Sequence, residues 1–247
     1  MEILTEINGN TLIITLNRPE AGNALNGALS EGLWNALNDA GENPDIRAIV
    51  ITGSGEKIFC AGMDLKAFAA GEDLAKIGKG FAGLRACKKP LIAAVNGHAL
   101  AGGFEVVMMC DLIVSVDTAR FGIPEVKRGL FAAGGGVRLP ARIPLAIALE
   151  MGLTGDPIDA QRAATLGLIN QVVPASELHS AALALAARVT ANGPLAVQAT
   201  KQLMLDEIGS GNGALLGELQ KQVFGSEDAK EGATAFAQKR APEWKGR

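Results

Sequence analysis

Three short runs, Arg47-Ala-Ile-Val-Ile-Thr52, Pro90-Leu-Ile-Ala-Ala-Val95 and Leu112–Val116, are apolar along nearly their whole length, and long connections separate them. A run of this kind bounded by turn residues reads as a strand buried in a core. Between the first two, and before the first, lie segments of helical character. Leu29, Leu33, Trp34 and Leu37 recur at helical spacing within 26–40, Asn26 is placed to cap that helix, and Pro44 stops it. The segment 66–88 is rich in Gly and Ala with mixed charge, and reads as a loop plus a helix. Two strand-like runs between Ile3 and Leu16 flank Asn8-Gly9-Asn10, a hairpin signal. Strands alternating with helices in this way build a layered α/β core.

From Pro140 onward the pattern changes. Segments near 144–153, 159–167, 176–191, 195–208 and 213–224 are Ala/Leu-rich with helical period, and Leu168–Val173 alone reads as a strand. A boundary falls near 190–195, giving a core at 1–192 and a helical region at 193–247. That region carries apolar stripes too large to stand alone in water, so it packs on the body or on another subunit.

The 247 residues suffice to bury a core without staples, and a net charge of −3 disfavours nucleic acid or an anionic membrane as the main partner. Cys60, Cys87 and Cys110 form no CxxC pair, and the two histidines, His98 and His179, are far apart, so no metal site is expected. Buried thiols in a reducing compartment are the simpler reading. The first ten residues lack the pattern of a signal peptide, and no apolar stretch is long enough to span a bilayer. A cytoplasmic chain is expected.

Glu105 is the one formally charged residue between Lys89 and Asp111. It lies in Ala101-Gly-Gly-Phe-Glu-Val-Val-Met-Met-Cys110, apolar on all sides and therefore a buried helix that Gly102-Gly103 is suited to begin. Burial raises the pKa of a carboxylate in the first turn, while the helix dipole lowers it. Such a residue is either a helix cap or a general acid/base on a dry wall. Glu125, in Phe121-Gly-Ile-Pro-Glu125, stands beside Lys127 and Arg128, where a solvated carboxylate is the ordinary expectation. As a pair the two glutamates are suited to hold one water, one taking its proton while the other delivers a proton to substrate.

Glycines supply the complementary half. Ala61-Gly-Met-Asp-Leu65 and Gly102-Gly103 are places where backbone N–H groups can approach a ligand closely. Two such donors converging on one carbonyl oxygen form an oxyanion hole; spacing alone leaves open whether they converge. No phosphate loop, dinucleotide fingerprint or nucleophile elbow is present, and His98 reads as a strand-end packing residue.

In Phe59-Cys-Ala-Gly-Met-Asp-Leu65, Ala94-Val-Asn-Gly-His-Ala-Leu-Ala-Gly-Gly-Phe-Glu105 and Phe121-Gly-Ile-Pro-Glu125 the chain resembles the crotonase superfamily, the enoyl-CoA hydratase/isomerase family. The likeness runs from Leu16-Asn-Arg-Pro-Glu-Ala to Pro242-Glu-Trp-Lys-Gly-Arg247. It implies a crotonase-like spiral of repeated ββα units with a C-terminal helical trimerisation region, assembled as a trimer or a dimer of trimers. It implies an acyl-CoA substrate, with coenzyme A part of the substrate and no separate cofactor. The thioester oxygen would sit between the N–H groups of Met63 and Gly102, Glu105 would activate the water attacking the β carbon, and Glu125 would protonate the α carbon. Ala61, Asp64, Leu65, Lys66 and Gly103 match substrate-binding positions; Lys66 would meet coenzyme phosphates, and Lys239 would reach a neighbouring subunit's nucleotide.

Hydration of 2-enoyl-CoA to 3-hydroxyacyl-CoA is the leading expectation. A 3-enoyl to 2-enoyl isomerase, a crotonobetainyl-CoA hydratase-like enzyme and a silent acyl-CoA or nucleic-acid binder are the alternatives. Three features depart from the family pattern: Glu20 and Gly22 stand where relatives often carry a base, Ile123 where hydratases often carry glutamine, and Gly134–Pro140 is one residue short.

Overall fold

The computed structural model describes residues 1–208, 221 and 224–240. Its strands are β1 (Ile3–Asn8), β2 (Thr11–Leu16), β3 (Ala48–Gly53), β4 (Ile58–Cys60), β5 (Leu91–Val95), β6 (His98–Leu100), β7 (Leu112–Val116), β8 (Arg120–Gly122), β9 (Ile158–Asp159) and β10 (Gln171–Val173). The helices are α1 (Gly27–Glu42), α2 (Leu65–Ala69), α3 (Leu74–Ala86), α4 (Gly102–Met109), α5 (Leu145–Thr154), α6 (Ala160–Thr165), α7 (Leu178–Thr190), α8 (Pro194–Ile208) and α9 (Glu227–Ala237).

Two sheets organise the chain. The larger runs β1-β2-β3-β5-β7-β10, parallel except for the β1–β2 hairpin, which turns through Gly9 at a φ of +56°. The smaller runs β4-β6-β8-β9, with only β9 antiparallel. Each of the pairs β3–β4, β5–β6 and β7–β8 gives its first strand to the large sheet and its second to the small one before the chain turns into helix. This is a repeated ββα unit. The expected apolar runs are β3, β5 and β7, and Ile49, Ile51, Leu91, Ile92 and Ile113 are fully buried there. Each such side chain is worth roughly 1.5–3 kcal/mol relative to exposure. Helix α7 covers β3, β5 and β7 from one side.

Helix α1 begins as expected, with the Asn26 side chain accepting from Leu29 N at 2.8 Å. It ends before Pro44, and the buried ammonium of Lys89 donates to the carbonyls of Ala40 and Asn43 at that end.

The structure corrects other expectations. Residues 65–86 hold two helices rather than a loop and one helix, because two aspartates start two helices. Asp64 accepts from Lys66 N and Ala67 N, and Asp73 accepts from Ala75 N. The strand expected at Leu168–Val173 is only Gln171–Val173, and a second strand, β9, precedes α6. The helical segment expected near 213–224 and the closing Pro242–Arg247 fall outside the described residues, Lys221 and Phe224 excepted. No helix among the described residues is long and apolar enough to cross a membrane.

Candidate active site

The small sheet places two turns against each other. Between β4 and α2, Leu25 N donates to the Gly62 carbonyl at 2.7 Å and Asp64 N donates to the Leu25 carbonyl at 3.0 Å, which fixes the peptides on either side of Met63. Gly62 has a φ of +100°, and a Cβ there would lie 2.6 Å from Ala101 Cβ and 3.0 Å from Gly102 N. A Cβ on Gly102 would in turn lie 3.5 Å from Met63 N. The two glycine turns are therefore in contact, as only residues without side chains allow. Among the described residues neither the Met63 N–H nor the Gly102 N–H meets an acceptor, so two backbone donors remain for a ligand.

Ala101, which enters α4, is held at φ +51° and ψ −131° by its N–H on the Gly122 carbonyl and by Glu105 N on its own carbonyl. That region is nearly reserved for glycine and costs roughly 1–3 kcal/mol. Strain is thus stored at the turn that presents Gly102.

Glu105 lies in the first turn of α4 and is 4% exposed. Its Oε1 accepts from Gly135 N at 2.6 Å and Gly136 N at 2.7 Å. Burial pushes this carboxyl above its ordinary range, while the N–H groups of Gly136, Gly135 and Gly134 and the Arg85 charge pull it back. Glu125 sits in the 3₁₀ turn Pro124–Arg128, and its Oε2 is buried without a hydrogen-bond partner. Burial, with the Glu105 charge second, pushes it up to about 8. Two buried acids, both raised by burial, therefore face one space: Glu105 is cradled by backbone donors, while Glu125 lacks a partner for its Oε2 and holds its proton at neutral pH.

That space is a cavity of about 910 Å³. Ala61, Met63, Asp64, Leu65, Lys66, Gly102, Glu105 and Glu125 line it, so most of the residues expected at the site come together. Gly103 and Lys239 are not on its wall. Gly103 faces β4, where a Cβ would lie 2.1 Å from the Cys60 carbonyl oxygen; its lack of a side chain lets α4 press on the sheet. Lys239 is exposed just beyond α9 at a φ of +54°. Asp64 caps α2 and pairs with Arg18 at 3.1 Å, while Lys66 is exposed at the rim. The rest of the wall is largely apolar, with Leu74, Ile77, Phe81, Leu130 and Phe131, and the C-terminal region contributes Phe224 and Phe236. Phe224 packs edge-on against Phe131 and Phe68.

The cysteines take no part in this wall; Cys60 is fully buried and its thiol is pushed up to about 12. His98 opens β6 as a strand-end residue.

Sequence reasoning missed the cradle. The run Gly134-Gly-Gly136 stands out by composition, yet nothing in it points to Glu105, some thirty positions away in the chain. Arg85, on the cavity wall and bonded to Gly134, was likewise unmarked.

Residues 6–247 match the enoyl-CoA hydratase/isomerase family. A carnitinyl-CoA dehydratase of Proteus mirabilis is 44% identical over 252 residues, covering 97% of this chain and 96% of that protein. The crystal structure of a carnitinyl-CoA hydratase from Mycobacterium avium superposes with a TM-score of 0.93 at 45% identity, over 100% of this chain and 99% of that one. An enoyl-CoA hydratase from Mycobacterium tuberculosis gives a TM-score of 0.79 at 47% identity over the same shares.

Proposed function

This chain belongs to the enoyl-CoA hydratase/isomerase family and is an enzyme of that class; from that premise we propose that it adds water across the double bond of a 2-enoyl-CoA, and removes it in the reverse direction. The observation that carries the reading is the unequal pair of buried carboxyls, Glu105 and Glu125, on a cavity whose wall also offers two unused backbone donors.

In this mechanism the thioester oxygen accepts from Met63 N–H and Gly102 N–H. As negative charge grows on that oxygen, each donor is worth roughly 3–4 kcal/mol. Glu105, oriented by its two backbone donors, acts in its carboxylate form and takes a proton from water as the water oxygen bonds to the β carbon. Glu125 gives its proton to the α carbon, and the pair exchanges roles on the return. Lys66 at the rim meets coenzyme phosphates. Lys239 reaches the nucleotide of a neighbouring subunit.

A narrower reading concerns the acyl group. Relatives named for carnitinyl-CoA suggest a quaternary ammonium beyond the alkene, the crotonobetainyl-CoA case. Phe81, Phe131 and Phe224 on the wall support it, because aromatic faces attract such cations.

The test is product analysis in ¹⁸O-labelled water with crotonyl-CoA, longer 2-enoyl-CoAs, 3-enoyl-CoAs and crotonobetainyl-CoA. Incorporation of ¹⁸O at the β carbon supports hydration, and the ranking of substrates decides the acyl group. Glu105→Gln and Glu125→Gln should each lower kcat by roughly 10²–10⁴-fold with acyl-CoA binding retained. Double-bond migration without label, surviving Glu105→Gln, would replace hydration with isomerisation.

A further inference from the structure

Arg85 lies in the last turn of α3, and its Nη1 donates to the Gly134 carbonyl at 3.0 Å. The next two peptides turn their N–H groups onto Glu105 Oε1. Three successive glycines have no side chains with which to hold that shape. Nor can Gly134 acquire one: a Cβ would lie 2.5 Å from Glu105 Oε2 and 3.2 Å from Phe81 Cζ. Among the described residues, Arg85 and Glu105 are the side chains that hydrogen-bond this run, so the loop is gripped from α3 on one side and from α4 on the other.

We infer that Arg85 is a positioning residue: its guanidinium fixes the Gly134 peptide and through it the two N–H donors that orient the Glu105 carboxylate. The inference rests on the hydration reading only in giving that carboxylate its work. An oriented base matters because a displacement of about 1 Å at a reacting group can lower a rate by roughly a hundredfold. The other titratable group facing Glu105 is Glu125, on the Pro124–Arg128 turn, while Arg138, on the turn that follows the glycines, faces Arg85. When Arg85 is lost, Glu105 loses both a neighbouring positive charge and a firm cradle. Both changes make its carboxylate harder to form, so the pH at which it titrates rises.

The experiment uses the full-length protein as wild type, Arg85→Met and Arg85→Lys. Three measurements are made: exchange of the Gly135 and Gly136 amides, the ¹³C titration of the Glu105 carboxyl, and steady-state kinetics (kcat and KM) on whichever enoyl-CoA the wild type turns over. In Arg85→Met both amides should exchange at least tenfold faster, the Glu105 titration should move to higher pH, and the acidic limb of the rate profile should follow it. The kcat should fall roughly tenfold to a hundredfold while KM stays within about threefold. Arg85→Lys keeps a donor and a charge and should recover most of each effect. Unchanged amide exchange and an unmoved Glu105 titration in Arg85→Met would overturn the inference, as would a shifted titration with unchanged amide exchange, which would leave Arg85 a charge effect alone. If the wild type hydrates nothing, the hydration reading falls, and the amide and carboxyl measurements still decide the role of Arg85.

Discussion

Glu125 sets folding against chemistry at a single residue. Its carboxyl holds its proton to about 8 in the folded protein, against an ordinary 4.5 when exposed. From about pH 4.5 upward the unfolded chain sheds a proton that the folded chain keeps, so this group's stability contribution is intact below that range and is lost by about pH 8. Glu125→Gln keeps the shape and removes the titration. We expect this variant to lose most of its activity yet to be more stable above pH 8, by on the order of 2–4 kcal/mol, with a flatter dependence of stability on pH. Urea unfolding of both proteins at pH 5 and pH 8.5 checks this; a variant no more stable than wild type at pH 8.5 contradicts the picture. The two glutamates differ in how far the chain announces them. Glu105 is visible as a lone charge in an apolar run. Glu125 looks like an ordinary loop acid beside Lys127 and Arg128, and only its packing takes it out of water. The Glu105 cradle is invisible in one dimension, because it joins a helix to a glycine loop by backbone atoms that any sequence possesses.

At the scale of elements, the turn that carries Glu125 is pressed from two sides. Helix α5 backs it, with Gly155 against Pro124 and Lys127, and α9 meets it at Gly232, where a Cβ would lie 1.7 Å from the Arg128 carbonyl oxygen. Arg128 also stacks over the Phe236 ring at 5.0 Å. Gly232→Ala must therefore move α9 or the turn. Overpacking of this kind costs roughly 1–3 kcal/mol. Because Phe236 lines the cavity, acyl-CoA binding should weaken with it, by about tenfold if 1.4 kcal/mol of that strain falls on the bound state. Calorimetric titration with a saturated acyl-CoA reads this directly; unchanged affinity would mean that α9 is not part of the binding wall. Strands β3, β5 and β7 of the large sheet were legible because residues buried on both faces must be apolar throughout. The strands of the small sheet were not. Ile58–Cys60, His98–Leu100, Arg120–Gly122 and Ile158–Asp159 span two or three residues each, too few to show a period, and tertiary pairing alone makes them strands. The two helices in 65–86 were half legible: Asp64 and Asp73 are good caps, but the intervening glycines and charges read as loop.

For the molecule as a whole, exposed apolar side chains gather into stripes among the described residues. Leu145, Leu149 and Leu153 repeat every four residues along α5 and are 59%, 48% and 75% exposed, while Ala148 and Met151 on the other side of the helix are buried. Val137 is exposed on the 3₁₀ turn Gly136–Ala141, which packs on α5, and Leu195, Leu203, Met204 and Leu205 are exposed along α8. A soluble monomer rarely leaves such stripes in water, since each leucine returned to a dry interface recovers roughly 1.5–3 kcal/mol. We expect them to be covered by further copies of the chain, as a trimer or a dimer of trimers. In that assembly α5 would link subunit contact to chemistry, because the helix packs on the Glu125 turn while its outer side carries the stripe. Leu149→Glu with Leu153→Glu should shift the mass seen by light scattering toward a monomer, and should lower kcat together with it, because an unsupported α5 no longer braces Glu125. A double variant that stays assembled, or one that dissociates with kcat unchanged, would separate the leucine stripe from the site and leave α5 as a purely local brace.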